Sequence, residues 1–197
     1  MSVLINASTT SGLVQTADTS GTLELQSNGT TQLTVSSTGA YGQLKSGTAQ
    51  ASTSGTSIDF TGLPSWVKRI TVLFKAVSTN GSSPVMVQLG DAGGIETTGY
   101  SGSVDFVEDN AAGTTFSTGF NIDRTLSASD LRTGQMTIVL FGSNNWNETS
   151  LISTTLTTLC IGAGDKTLSD TLDRIRITTV NGTDAFDAGS INILYEG

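Results

Sequence analysis

The sequence contains no histidine and a single cysteine, and these two absences remove much of the usual catalytic repertoire. Without imidazole there is no ordinary base for a serine or cysteine nucleophile, no neutral-pH proton shuttle and no member of the commonest class of transition-metal ligand. The lone thiol, Cys160, excludes an intrachain disulfide, and within Leu159-Cys160-Ile161 it reads as a small buried core residue. Charge is sparse as well. Asp, Glu, Lys and Arg make up 13% of the residues, against roughly 25% in an average soluble domain. The balance is acidic, 9 Lys and Arg against 17 Asp and Glu for a net charge of −8, so polyphosphate would meet general repulsion. Lys68-Arg69 is the only basic doublet, and Arg174 and Arg176 alternate along one strand face. We expect no nucleic-acid partner. The opening Met1-Ser2-Val3-Leu4-Ile5-Asn6 carries neither a basic region nor a long apolar run, so neither a signal peptide nor membrane insertion is expected. Five Asn-X-Ser/Thr sequons, at Asn6, Asn28, Asn80, Asn147 and Asn181, follow from the abundance of Ser and Thr and are discounted.

Other sites of chemistry are equally thin. Gly90-Asp91-Ala92-Gly93-Gly94 follows a strand but lacks the lysine and the helix of a phosphate loop, so it reads as a turn. Carboxylates are the remaining catalytic candidates. Asp105 with Glu108, or Glu96 with Asp109, would have the chemistry to cleave glycosides, but so many acids on one small domain make such pairs unavoidable, and we read them as solvated. Asp105, Glu108, Asp109 and Asn110 offer oxygen ligands to calcium without the regular spacing of a calcium loop. We expect no enzyme, no metal and no cofactor.

What the chain does contain is Ser, Thr, Gly and Asn, residues of strands and turns. Helix formers are scarce, and the stretch Thr125 to Thr133 supports at most one helical turn. The fold class expected is all-β. Residues 1–44 have few aromatics and only short apolar pairs, so they form an extended N-terminal arm that cannot build a core alone. Its best local structure is a hairpin of Thr22–Gln26 and Thr31–Val35 around Asn28-Gly29. A three-residue loop, Asn28 to Thr30, sets Leu25 opposite Leu33 and Leu23 opposite Val35, whereas a two-residue loop would set Leu25 opposite Gln32. An isolated ribbon is marginal in water, so Val3, Leu4, Ile5, Leu23, Leu25, Leu33 and Val35 are candidates for anchoring the arm to another surface. Residues 45–57 read as a flexible Gly/Ser/Thr linker or an extended leader.

From Ile58 to Gly197 the pattern is one of short strands divided by Gly, Asn, Asp and Pro, about nine in all, at the spacing of an antiparallel β-sandwich. Ile70, Val72, Phe74 and Ala76 share one strand face, and Val85, Val87 and Leu89 another. Met136–Phe141 is apolar on both faces, as in a strand held between layers. Arg174/Arg176 opposite Ile175/Ile177 mark a strand with one wet face. Turns are expected at Asn80-Gly81, Asp91-Ala92-Gly93-Gly94, Asn144-Asn145, Gly162-Ala163-Gly164-Asp165 and Asn181-Gly182. Two packed sheets of jelly-roll type fit this pattern. Trp66 and Trp146 each stand at the start of a strand, where an aromatic either caps the core, anchors an interface or stacks on a sugar. With Tyr100 they are the candidates for partner or glycan contact.

The run Leu63-Pro64-Ser65-Trp66-Val67-Lys68-Arg69-Ile70-Thr71-Val72, then Val87-Gln88-Leu89-Gly90-Asp91 with Gly94-Ile95-Glu96-Thr97-Thr98-Gly99-Tyr100, resembles distal domains of tailed-bacteriophage tail fibres and tailspikes. Phe186-Asp187-Ala188-Gly189-Ser190-Ile191-Asn192-Ile193-Leu194-Tyr195-Glu196 resembles their carboxy-terminal strand, and Thr16-Ala17-Asp18-Thr19-Ser20-Gly21-Thr22-Leu23-Glu24-Leu25-Gln26 resembles segments that recur in phage structural proteins. The resemblance implies a homotrimeric virion protein with a β-sandwich head. A long repetitive shaft, a tail-attachment domain and a catalytic β-helix are missing, which favours a capsid decoration, or cement, protein on the outer capsid surface over a tail-fibre or tail-tip component. The partners implied are the chain itself, the major capsid protein or other virion proteins, and host cell-surface polysaccharide. The arm would dock by strand addition.

Overall fold

The computed structural model describes residues 23–27, 29–36, 39–41, 44–107, 113–124, 127–155 and 158–197. All regular structure among them is strand, and every pairing is antiparallel. The chain divides into two units, Met1–Gln43 and Leu44–Gly197.

The first unit is a three-stranded meander of β1 (Leu23–Ser27), β2 (Thr30–Ser36) and β3 (Gly39–Tyr41). Leu23 pairs with Val35 and Leu25 with Leu33, the register expected from alternation. The route to that register differs. Ser27 pairs with Thr30, so the connection has two residues rather than three, and the register shifts between Leu25 and Gln26, leaving Gln32 as the extra residue of a bulge. Gly29, at φ +74°, supplies the left-handed turn. Strand β3, pairing Val35 with Ala40, was not expected.

The second unit begins with β4 (Lys45–Ser46), β5 (Gln50–Ala51), β6 (Ser57–Thr61), β7 (Arg69–Thr79), β8 (Val85–Asp91), β9 (Gly94–Ile95) and β10 (Tyr100–Phe106). It continues with β11 (Thr114–Phe116), β12 (Phe120–Asn121), β13 (Arg132–Gly142), β14 (Asn145–Thr154), β15 (Thr158–Thr167), β16 (Arg174–Thr179) and β17 (Phe186–Glu196). These strands make two sheets. One has nine strands, ordered β11-β10-β15-β14-β13-β7-β17-β4 with β5 also on β17; the other has five, ordered β12-β8-β16-β6 with β9 on β8. The sheets share one apolar core in a sandwich-like arrangement. Ile70, Val72, Met136, Ile138, Ile152 and Ile191 come from the larger sheet, and Val85, Val87, Leu89, Ile175 and Ile177 from the smaller.

One fully buried ion pair joins the sheets. Asp123, just after β12, accepts from Arg132 Nε at the start of β13, and neither side chain has any exposed surface. Asp123 Oδ1 also accepts the Val85 N–H of β8 at 2.9 Å. Between the two partners, Ser127 N–H donates to Asp130 Oδ2 and Asp130 N–H to Ser127 O, so the stretch expected to hold at most one helical turn contains a capped turn.

Four local expectations need correction. Residues 45–57 are not a free linker. β4 and β5 pair with β17, Ser52 is fully buried and donates to Ala188 O at 2.7 Å, and a Cβ at Gly47 would stand 2.8 Å from the Ile193 side chain. Gly162 to Asp165 is not a turn but the middle of β15. Its inward positions are glycine because a Cβ there would come within 2.6 Å of Ser150 Oγ at residue 162, and within 2.8 Å of the Phe116 ring at residue 164. Ala76 leaves the buried face, since its φ of +50° marks a bulge after which Val77 takes the inward position. Finally, β13 is covered on one face only, whereas β8 is buried along its whole length. The hairpin between β13 and β14 turns through Ser143 and Asn144, both at positive φ, as a right-twisted two-residue connection requires.

Replacing Arg132 with Leu strands the Asp123 carboxylate in the core. The expected loss of unfolding free energy in urea titrations at pH 7 is about 3–5 kcal/mol. A loss below about 1 kcal/mol, the scale of an exposed pair, would contradict its role as the joint between the sheets.

Candidate functional site

Alternation along β13, β14 and β15 decides what the nine-stranded sheet shows to solvent. Ile152 and Cys160 point inward with no exposed surface, so their neighbours must point outward. Leu151 stands opposite Ile161 across the β14–β15 ladder, 52% and 48% exposed. Leu159 follows along the same face of β15, and Val107 donates its N–H to Leu159 O at 2.8 Å. These four aliphatic side chains form one continuous exposed patch. At the far end of β13, Val139 and Phe141 also face outward, Phe141 with 81% of its surface exposed.

Beside the patch runs a row of small side chains. Thr71, Thr137, Thr149, Ala163 and Ser103 are paired in sequence across β7, β13, β14, β15 and β10. Such residues leave a shallow, flat surface that another sheet can approach closely. Charge is confined to the flanks. Arg69, bonded to Glu196 at 3.1 Å, and Lys75 lie on the β7 side; Asp105, 3.5 Å from Arg124, and Asp165 lie on the β10–β15 side. Contiguous exposed apolar patches mark surfaces that meet another molecule, whether protein, membrane or ligand.

The residues singled out from the sequence are scattered differently. Trp146 is 3% exposed and Tyr100 4% exposed, so neither presents a ring to a partner or a glycan. Both are core residues: Tyr100 accepts the Leu89 N–H at 2.7 Å, donates to Glu96 O at 3.0 Å and meets Phe120 edge-on at 4.9 Å. Trp66 is half-exposed, its ring 5.9 Å from Tyr195 with Lys45 Nζ 5.6 Å from its centroid. In the N-terminal unit Leu23, Leu25 and Val35 are exposed and Leu33 is half-buried on one face of the meander. Val3, Leu4 and Ile5 lie outside the described residues, as do Glu108, Asp109 and Asn110. Of the carboxylates considered, Glu96 binds Lys166 and accepts from Ser169 Oγ at 2.8 Å, which makes it a tie between loops. Among the described residues no group of three His, Cys, Asp or Glu side chains is placed to hold a metal ion.

Directly behind the open face, the inward side of β14 carries an unusual series. Trp146 Nε1, both oxygens of Glu148 and Ser150 Oγ are buried without a hydrogen-bond partner among the described residues. Gly162 and Gly164 provide the room. Burial pushes the Glu148 carboxyl up to about 8 and the Cys160 thiol up to about 12. Glu148 is thus a neutral acid at pH 7.

The outer surface of the five-stranded sheet is polar by contrast. Two adjoining hollows of about 440 and 420 Å³ share Thr97 and Arg176. Arg176 donates Nε and Nη2 to Asp59, 2.7 Å each. Compared with protein-family models, with curated proteins and with solved structures, the chain gives no match.

Because the folded state holds a proton on Glu148 that the unfolded chain releases near its ordinary value of 4.5, stability is full below that pH and falls as pH rises toward 8, by about 1.4 kcal/mol per unit from this group. Urea titrations between pH 5 and 8 should show that slope, and Glu148→Gln should remove this contribution. An unchanged slope would contradict the assignment.

Proposed function

We propose that this protein is a non-enzymatic structural component of a tailed-phage particle, a homotrimer with a jelly-roll-like head that decorates and reinforces the capsid. The observation that carries the binding half of this reading is the exposed patch of Val107, Leu151, Leu159 and Ile161 on an otherwise well-packed head. That apolar surface is flat and open, which suits contact with another protein surface better than enclosure of a small ligand. The exposed apolar face of the N-terminal meander supports the same reading, since a three-stranded sheet gains most of its stability from whatever covers that face. The phage assignment rests on the strand and turn motifs from Leu63 to Val72, Val87 to Tyr100 and Phe186 to Glu196.

Host polysaccharide contact is a second reading, supported by the hollows on the five-stranded sheet rather than by Trp146 or Tyr100. Asp59, Gln88, Thr97, Thr118 and Arg176 bring amide, hydroxyl, carboxylate and guanidinium groups together there, and Arg176 keeps Nη1 for a ligand. Arg176→Ala should weaken adsorption to host polysaccharide at least tenfold; undiminished adsorption would retire the hollow as a sugar site.

Decoration requires copies in proportion to the shell. Gel densitometry of purified particles should find this chain in numbers comparable to capsid subunits. Only a few copies per particle would exclude the decoration reading and favour the tail.

A further inference from the structure

We infer that the outer face of the nine-stranded sheet packs against the same face of another copy of this chain. The inference rests on the reading of that face as protein-binding and adds its occupant.

Size comes first. Six strands, from β17 to β10, at about 4.8 Å spacing and about eight residue steps of 3.3 Å give a face of roughly 750 Å². A standard interface takes about 800 Å² from each partner, so one copy of the face is enough.

Complementarity selects the partner. Paired residues of an antiparallel sheet lie in rows across the strands. Arg69 and Asp165 occupy one such row, connected through Val139 and Asn147. Leu73 and Ile161 occupy another, connected through Gln135 and Leu151. Rotation about an axis parallel to the strands keeps each row at its own height and carries the β7 half of one copy onto the β15 half of the next. Arg69, which bonds Glu196 at 3.1 Å within its own chain, then faces Asp165, and Leu73 meets Ile161. Twofold and threefold axes both do this. A chain of net charge −8 otherwise repels its own copies, but on this face the flanking charges are offset within the chain, Arg69 by Glu196 and Asp105 by Arg124, and the surface between the flanks is apolar and hydroxyl.

The test uses the full chain in solution. Size-exclusion chromatography with light scattering should give a mass of more than one chain at micromolar concentration, and Ile161→Glu and Leu151→Glu should each shift it to the monomer while keeping the circular dichroism spectrum of the folded all-β chain and losing the concentration dependence of the thermal midpoint. Thr61→Glu, on the outer surface of the other sheet, should leave the assembly intact. Leu73→Cys/Ile161→Cys tests the geometry itself. Within one chain these positions are three strands apart, too far for a disulfide, so oxidation should produce chains covalently joined to one another. A monomeric wild type, an assembly indifferent to both glutamates, or no cross-link would each overturn the inference. Particle incorporation is not read by these measurements, so cross-linked chains that never join a particle would count against the virion reading alone. The number of chains joined, two or three, separately tests the trimer.

Discussion

The buried ion pair of Asp123 and Arg132 is the joint on which the head depends. Asp123 follows β12, an edge strand of the five-stranded sheet, Arg132 begins β13 in the other, and the carboxylate also holds the Val85 N–H. Once this corner is fixed, β13 enters the larger sheet with Met136 and Ile138 inward, and the ladders to β7 and β14 follow in register. A buried charge pair is weak support for stability in itself, because desolvation offsets much of the attraction. Its effect here lies in the cost of separation: removing either partner leaves the other charged group buried and uncompensated.

Parity then carries that constraint to the surface. With Ile138, Ile152 and Cys160 in the core, Val139, Leu151, Leu159 and Ile161 have nowhere to go but outward. The glycines of β15 serve the same arrangement from within, since Gly162 and Gly164 make room for Ser150, Glu148 and Phe116 behind the face. The exposed apolar surface and the polar series on β14 are two sides of the same strands, which links the head's stability to the groups beneath that surface.

Much of this was legible from residue order. Period-two alternation and turn residues identified an all-β chain, the Leu25–Leu33 register and the wet face of Arg174 and Arg176. The exposed patch was readable too, because a buried Cys160 implies outward Leu159 and Ile161, but an apolar strand looks the same whether its second face meets another layer or solvent. Met136–Phe141 was assigned a covered second face for that reason, and β8, with Gln88 and Gly90 in it, was not. Glycine was the other source of error. The same residue type permits a turn at Gly29 and a close approach between layers at Gly162 and Gly164, and only the tertiary neighbours distinguish them. The Asp123–Arg132 pair left no local signal, as its partners sit nine residues apart across a turn. Trp146 and Tyr100 stand beside turns, yet the ladders draw both inward.

Hydroxyl-radical footprinting of the assembled protein, compared with a monomeric variant such as Thr149→Glu, tests the central claim most directly. The account predicts that Leu151, Leu159 and Ile161 lose most of their labelling on assembly while Ile95 and the exposed Val180, beside the five-stranded sheet, keep theirs. Equal labelling of Leu151 and Ile161 in both states would contradict it.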